Sequence, residues 1–281
     1  MMRNLLATAA ALAVCGGAAQ AKFTADVVID GTGISTTDYT SVALQTAGDS
    51  CFGTGIRAGE LFLANDNANL YVGIAGDLQN DSVYLFFDTL SGGATNVAAS
   101  PAYGEFEVLA ATGGGNMPSG FEVDYIYNLK EFERGLGRWN VQANTANFVG
   151  NNWASNVANG AGYKVFTDNS NTTATPWAAG TVSTGIELQI PRTEIGSPST
   201  LSIIRVFLVM GNSGGGGAQN TTYLTNQVLP QSPNVVPACY GRNGSGGGDG
   251  PGLNYDATGL NITAASYTLQ AAADVSNWYL M

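Results

Sequence analysis

Turn-forming residues interrupt this chain at short intervals from end to end, and the segments between them run about 6–10 residues and are rich in Val, Ile, Tyr, Phe and Thr. Such spacing suits strands joined by turns and leaves little room for an amphipathic helix of ordinary length. The clearest segments are 60–63, 69–75, 82–88, 105–110, 121–129, 139–146, 163–167, 185–191, 201–210 and 223–229, with a further edge strand at 266–271. The expected fold is therefore all-β: a two-sheet antiparallel sandwich, jelly-roll or immunoglobulin-like, with long Gly/Asn-rich loops. Leu70, Val72 and Ile74 alternate with Tyr71, Gly73 and Ala75, as on a half-buried strand. Segments 82–88 and 201–210 are apolar on both faces and should be central. Only 192–195 suggests a helical turn.

Residues 1–21 have the three parts of a secretory leader: Arg3, an apolar stretch from Leu5 to Val14, and Ala19-Gln20-Ala21 as the cleavage site. Export outside the cytoplasm, as a secreted, extracellular, periplasmic or surface protein, is the expectation. A lipoprotein box ending at Cys15 competes with this, but Val14 is larger than the residue that normally precedes such a cysteine. No later stretch is long and apolar enough for a transmembrane segment. The organisation expected is a leader over 1–21, a β-sandwich domain over 22–240, and a Gly-rich loop with a C-terminal edge segment over 241–281. Other irregular loops are expected at 150–162 and 211–220.

Charge and composition exclude more than they assign. The formal charge is -11, from 21 acidic and 10 basic residues, and the Lys and Arg are scattered, so nucleic acid is not an expected partner. The chain has no His, which removes Ser-His-Asp and Cys-His nucleophiles and His-ligated zinc.

The order of motifs carries a resemblance. Val28-Ile29-Asp30-Gly31 and Asp38-Tyr39 are followed by Asn65-Asp66-Asn67-Ala68-Asn69-Leu70-Tyr71-Val72-Gly73-Ile74, then Leu85-Phe86-Phe87-Asp88-Thr89 and Gly120-Phe121-Glu122-Val123-Asp124-Tyr125. Gly185-Ile186-Glu187-Leu188-Gln189-Ile190-Pro191 and Thr225-Asn226-Gln227-Val228-Leu229-Pro230 close the series. Over about 27–236 the chain resembles secreted bacterial β-sandwich proteins of the PEP-CTERM-associated type, related to family-nine carbohydrate-binding modules and DOMON domains. The sorting tail of that type is not expected here. The resemblance implies ligand binding without catalysis, to a sugar, to haem or to nothing known. Haem would need the Met and His ligands those relatives use, and His is missing.

Four constellations have chemistry to offer. Trp153 and Trp177 stand in polar, loop-like surroundings with Asn152 beside the first, which supplies a ring for a sugar face and an amide for its hydroxyls. They are the expected ligand-binding residues, with Tyr103 and Tyr240 as weaker candidates. Asn65, Asp66 and Asp88 offer the oxygen donors that Ca2+ prefers; an Asn-rich turn is the plainer account of the first two. Glu122 and Asp124 are two residues apart on one strand face, the beginning of a laminarinase-like Glu-x-Asp-x-x-Glu motif whose third position is Tyr127. Without that proton donor no catalytic residues are assigned, and a jelly-roll glycoside hydrolase remains the alternative. Glu105 and Glu107 form a similar pair. Arg205, inside an apolar strand, requires an ion pair, with Glu187 or Asp88 as candidates.

The expected function is an exported non-catalytic sandwich that binds an extracellular polysaccharide or joins another matrix protein at the cell surface. In an oxidising compartment Cys51 and Cys239 should form a disulfide. A thiol titration of denatured, unreduced protein from the periplasm is expected to find no free thiol; two would contradict the bond.

Overall fold

The computed structural model describes residues 27–45, 57–77, 82–97, 117–130, 135–151, 158–159, 163–167, 183–211, 223–230, 240–241 and 264–271. The expected leader, Cys51 and Cys239, Trp153, Trp177 and Asn152, Tyr103, and the segment 105–110 lie outside them.

The described chain is a two-sheet antiparallel β-sandwich. One sheet is six-stranded, in the order β1 (Thr40–Leu44), β2 (Arg57–Asn65), β3 (Asn69–Asp77), β10 (Gly185–Pro191), β9 (Tyr163–Thr167) and β8 (Ala158–Asn159). The other is eight-stranded and runs β13 (Tyr240–Gly241), β12 (Tyr223–Leu229), β11 (Ile203–Gly211), β4 (Ser82–Asp88), β5 (Tyr125–Lys130), β6 (Gly135–Asn140) and β7 (Thr145–Asn151). Its last member, β14 (Ala265–Thr268), pairs with Ile203–Val206 at the start of β11, while β12 pairs with the far end of the same strand. Every pairing is antiparallel, and a single 3-10 turn, Arg192–Ile195, follows β10 where the sequence suggests one.

Strand alternation sends Leu61, Leu63, Leu70, Val72, Ile74, Ile186, Leu188 and Ile190 inward from the first sheet. They meet Val83, Leu85, Phe87, Tyr127, Val206 and Leu208 from the second. The opposite residues of β4 and β11 are also apolar. Tyr84, Phe86, Phe207 and Val209 lie under a second cluster with Met117, Phe121, Val123 and Trp139, and Phe86 stacks on Phe207 at 4.3 Å between ring centroids. Two-sided burial holds through 82–88 and, in the expected segment 201–210, from Val206 onward; regular strand begins there only at Ile203, and Leu201 and Ile203 are exposed.

Two expected boundaries are corrected. The segment 139–146 is not one strand: β6 ends at Asn140, a turn follows, and β7 starts at Thr145. The Asn140 side chain accepts the Ala143 amide at 3.1 Å, and Asn144 takes a left-handed backbone with φ 47°, a conformation Asn tolerates well. The segment 121–129 is regular strand only from Tyr125; before it, Val123 bridges Ala94.

The N-terminal segment covers the outer face of the first sheet, where Ile29, Ile34 and Tyr39 pack on Phe62, Tyr71 and Ala75. A buried carboxylate fastens it. Glu187 Oε2 accepts the Asp30 and Gly31 amides, each at 2.8 Å, and Oε1 accepts the Tyr39 hydroxyl at 2.6 Å. Burial pushes the Glu187 carboxyl up, against the pull of these three donors.

Glu187→Leu orphans those donors, at roughly 1–3 kcal/mol for each buried group, so a loss of about 3 kcal/mol or more is expected in urea unfolding. The raised carboxyl also fixes a pH dependence. Between the ordinary glutamate value, about 4.3, and the raised folded value, the native chain holds a proton that the unfolded chain has released. The group's contribution is therefore full below that window and is lost as pH rises through it. Glu187→Gln is expected to flatten that slope in melting curves.

Candidate functional site

At one end of the sandwich the β2–β3 hairpin, the end of β10 and the loop after the 3-10 turn enclose a cleft of about 580 Å3. It is built locally from turn chemistry. Asp66 Oδ1 accepts the Ala68 amide at 2.7 Å, and Oδ2 accepts the Tyr71 hydroxyl at 2.7 Å and the Asn69 side-chain amide at 3.2 Å. The carboxylate thereby folds Asn67 and Ala68 outward as the hairpin tip. Burial raises the Asp66 pKa, but the bonds from Tyr71, Asn69 and Ala68 outweigh it and hold the carboxyl below its usual range.

The opposite wall hangs on the backbone of Arg192. Its amide donates to Ala68 O at 2.8 Å, and its carbonyl accepts the Ser197 amide at 2.7 Å, closing the turn through Gly196 at φ 82°. The Arg192 guanidinium donates from Nη1 to Asn67 O at 3.1 Å and from Nη2 to Pro198 O, joining both walls. Gln189, Thr193, Ser199 and Thr200 complete a lining of amides and hydroxyls.

A polar network backs this wall. Tyr127 from one sheet and Tyr163 from the other meet hydroxyl to hydroxyl at 3.1 Å, and Tyr163 donates to Glu194 Oε2 at 3.2 Å. Arg138 donates to Glu194 O from Nε at 3.0 Å and from Nη2 at 2.7 Å. Burial pushes both phenols well above the usual tyrosine value, so they act as neutral hydrogen-bonding groups. The network fixes the 3-10 turn against both sheets.

A smaller hollow of about 340 Å3 lies nearby, between Leu90, Asp124, Tyr125, Asn140, Gln142 and Ala143. Asp124 Oδ2 accepts the Thr89 and Leu90 amides, each at 2.7 Å, and Oδ1 accepts Gln142 Nε2 at 2.8 Å. Glu122 Oε2 accepts the Gly92 amide at 3.0 Å. These two carboxylates therefore anchor the loop after β4.

The sequence-selected metal candidates occupy three different settings. Asn65 is fully buried: its Oδ1 accepts the Tyr267 hydroxyl at 3.0 Å and the Gln270 amide at 2.8 Å, and its Nδ2 donates to Gln270 O at 2.9 Å. Asp66 supports the hairpin tip. Asp88 pairs across the β4–β11 ladder with Arg205 and accepts the Glu122 amide at 3.2 Å; burial pushes its carboxyl up despite these partners. Arg205 thus finds Asp88, while Glu187 is engaged by the N-terminal segment. The cleft residues Arg192, Thr193, Ser199 and Thr200 were not selected by sequence motifs. Their one visible signal is a lone Arg opening a Thr/Ser/Pro-rich loop after an apolar strand.

No protein-family model and no curated protein matches the chain. Among solved structures it is similar to a family 9 carbohydrate-binding module from Caldicellulosiruptor kristjanssonii in complex with cellotriose, with 10% identity and a TM-score of 0.35 over 92% of this chain and 96% of that one.

Asp66→Ala removes the acceptor for the hairpin tip, and a loss of about 1–2 kcal/mol is expected from the scale of comparable side-chain caps. Because the carboxyl is held low in the folded chain, its contribution is present above the ordinary aspartate value, about 3.9, and fades as pH falls through the folded value. Acid titration of stability in wild type and Asp66→Ala checks both, the variant lacking that part of the acid limb.

Proposed function

We propose that this chain is an exported, non-catalytic β-sandwich that binds an extracellular glycan through the cleft between the β2–β3 hairpin and the 192–200 loop. The observation that carries this reading is the lining of that cleft. The cleft presents amides, hydroxyls and one guanidinium, the last oriented by two backbone carbonyls, which matches the dense, directional hydrogen-bonding surface of a sugar. Its volume is within the range of small-molecule sites. Trp153 and Trp177, with Asn152, belong to the same proposal as stacking partners for the apolar sugar faces. A role as a surface or matrix component, in the manner of the PEP-CTERM-associated and DOMON-related proteins, follows if the glycan is part of the matrix.

Affinity electrophoresis against a panel of polysaccharides tests the reading. Retardation by at least one is expected, and Thr193→Tyr, which places a ring in the cleft from an exposed position, should abolish it. Trp153→Ala or Trp177→Ala should weaken it by about 2–10-fold if those rings stack on sugar. Absence of retardation throughout the panel would remove the reading. Hydrolysis of β-glucan that disappears in Glu122→Gln would replace it with a glycosidase. A Ca2+ ion at Asn65, Asp66 or Asp88 is a companion proposal: at a hundredfold excess over its dissociation constant it would add about 2.7 kcal/mol. A melting midpoint unchanged between Ca2+ and chelator at matched ionic strength would exclude it.

A further inference from the structure

The charge of the cleft runs against that of the chain. Acidic residues outnumber basic ones by 21 to 10 overall, yet none of the described residues lining the cleft is acidic and one is Arg192. The described ion pairs give Arg138 a carboxylate at Glu194 and Arg205 one at Asp88. Arg192 is held instead by two neutral carbonyls, those of Asn67 and Pro198, which orient the guanidinium plane without neutralising it. Among the described residues these bonds use two of its five N–H groups, and the remainder form a charge-assisted donor set for an anion. The neighbouring carboxylates are occupied elsewhere: Asp66 by its own hairpin, and Glu194 by Tyr163 and Arg138.

The rim adds a second observation. The 197–201 loop is bracketed by Ser197 at φ 54° and Leu201 at φ 67°, both non-glycine residues in the left-handed region. This costly backbone leaves Leu201 67% exposed beside Thr200 of the lining. Among the described residues the lining carries no aromatic ring, and Arg192 is its one charged group.

We infer that the cleft selects a sugar bearing a carboxylate, a uronic-acid residue, with Arg192 as its anion contact. This deepens the glycan-binding reading and rests on it. The formal charge of -11 repels a densely charged polymer at long range, so the fitting ligand is an isolated uronate within a short or mostly neutral chain. Short-range pairing at Arg192 and long-range repulsion by the whole chain respond differently to salt.

The test is calorimetric titration of the full chain with tri-galacturonate and with its methyl ester, which keeps the ring and loses the charge. Wild type should bind the acid about tenfold more tightly than the ester, the scale of one charge-assisted contact. Arg192→Gln should bring the two to equality. Because Arg192 also joins the cleft walls, Thr200→Glu serves as a second variant: it leaves the clamp in place, adds a carboxylate at an exposed lining position, and should lower the preference for acid over ester by about fivefold or more. Raising NaCl from about 0.05 to about 0.15 M should leave acid binding unchanged or strengthen it as the net repulsion is screened. Equal binding of acid and ester by wild type, or insensitivity to both variants, overturns this inference and leaves the glycan reading intact. Displacement by acetate at matched ionic strength as readily as by the trisaccharide also overturns it, as a general anion site. Failure to bind these sugars and every member of the polysaccharide panel removes the reading beneath it.

Discussion

A sheet that is apolar on both faces has to be covered twice, and that requirement organises this molecule. The inner faces cover one another, as in any sandwich. The outer faces need chain from elsewhere. Residues 27–39 lie over the first sheet, with Ile29, Ile34 and Tyr39 against it, and Met117, Phe121 and Val123 lie over the second. Each cover has to bury backbone as well as side chains, so each needs polar fastening. Glu187 supplies it on one side, and on the other Asp124, with Asp88, ties the loop after β4 to the approach of β5. Removing an inner residue leaves a cavity, whereas removing a fastener leaves orphaned amides over a greasy face.

The strands were legible where side-chain alternation or a continuous apolar run fixed them. The stretch Leu70 to Ile74 alternates, and 82–88 and 201–210 do not, which identifies the one as half-buried on chemistry alone and the others as central. Even so, β3 is buried on both faces, because the N-terminal segment covers its Tyr71 and Ala75 side. No local pattern reports that cover. The turn at 141–144 was hidden for a different reason: Val141, Gln142, Ala143 and Asn144 carry neither Gly nor Pro, and the reversal depends on the Asn140 side chain and the left-handed backbone of Asn144.

The site was less legible than the fold. Sequence patterns drew attention to carboxylates, since Asp66, Asp88, Glu122 and Asp124 stand in recognisable spacings. Three-dimensional packing spends these groups on amides, a phenol and Arg205. The cleft walls come from residues 67–69 and 189–200, more than a hundred positions apart, which meet because β3 pairs with β10. A site assembled by strand pairing leaves no linear signature. Arg192 is conspicuous only once its neighbours are seen to be carbonyls.

The contact between Asn65 and Gln270 joins positions 205 residues apart, and Tyr267 joins the same amide across 202. β14 fills the half of the β11 edge that β12 leaves bare. On a ribosome, the early strands emerge long before either partner exists. Asn65 then keeps only its local bond to Asp66 O, with water at its other positions, and the first half of β11 waits with one edge open. Closure of both contacts thus waits for the 265–270 segment, 202 to 205 positions after Asn65, and the sandwich stays unfinished until that segment is present.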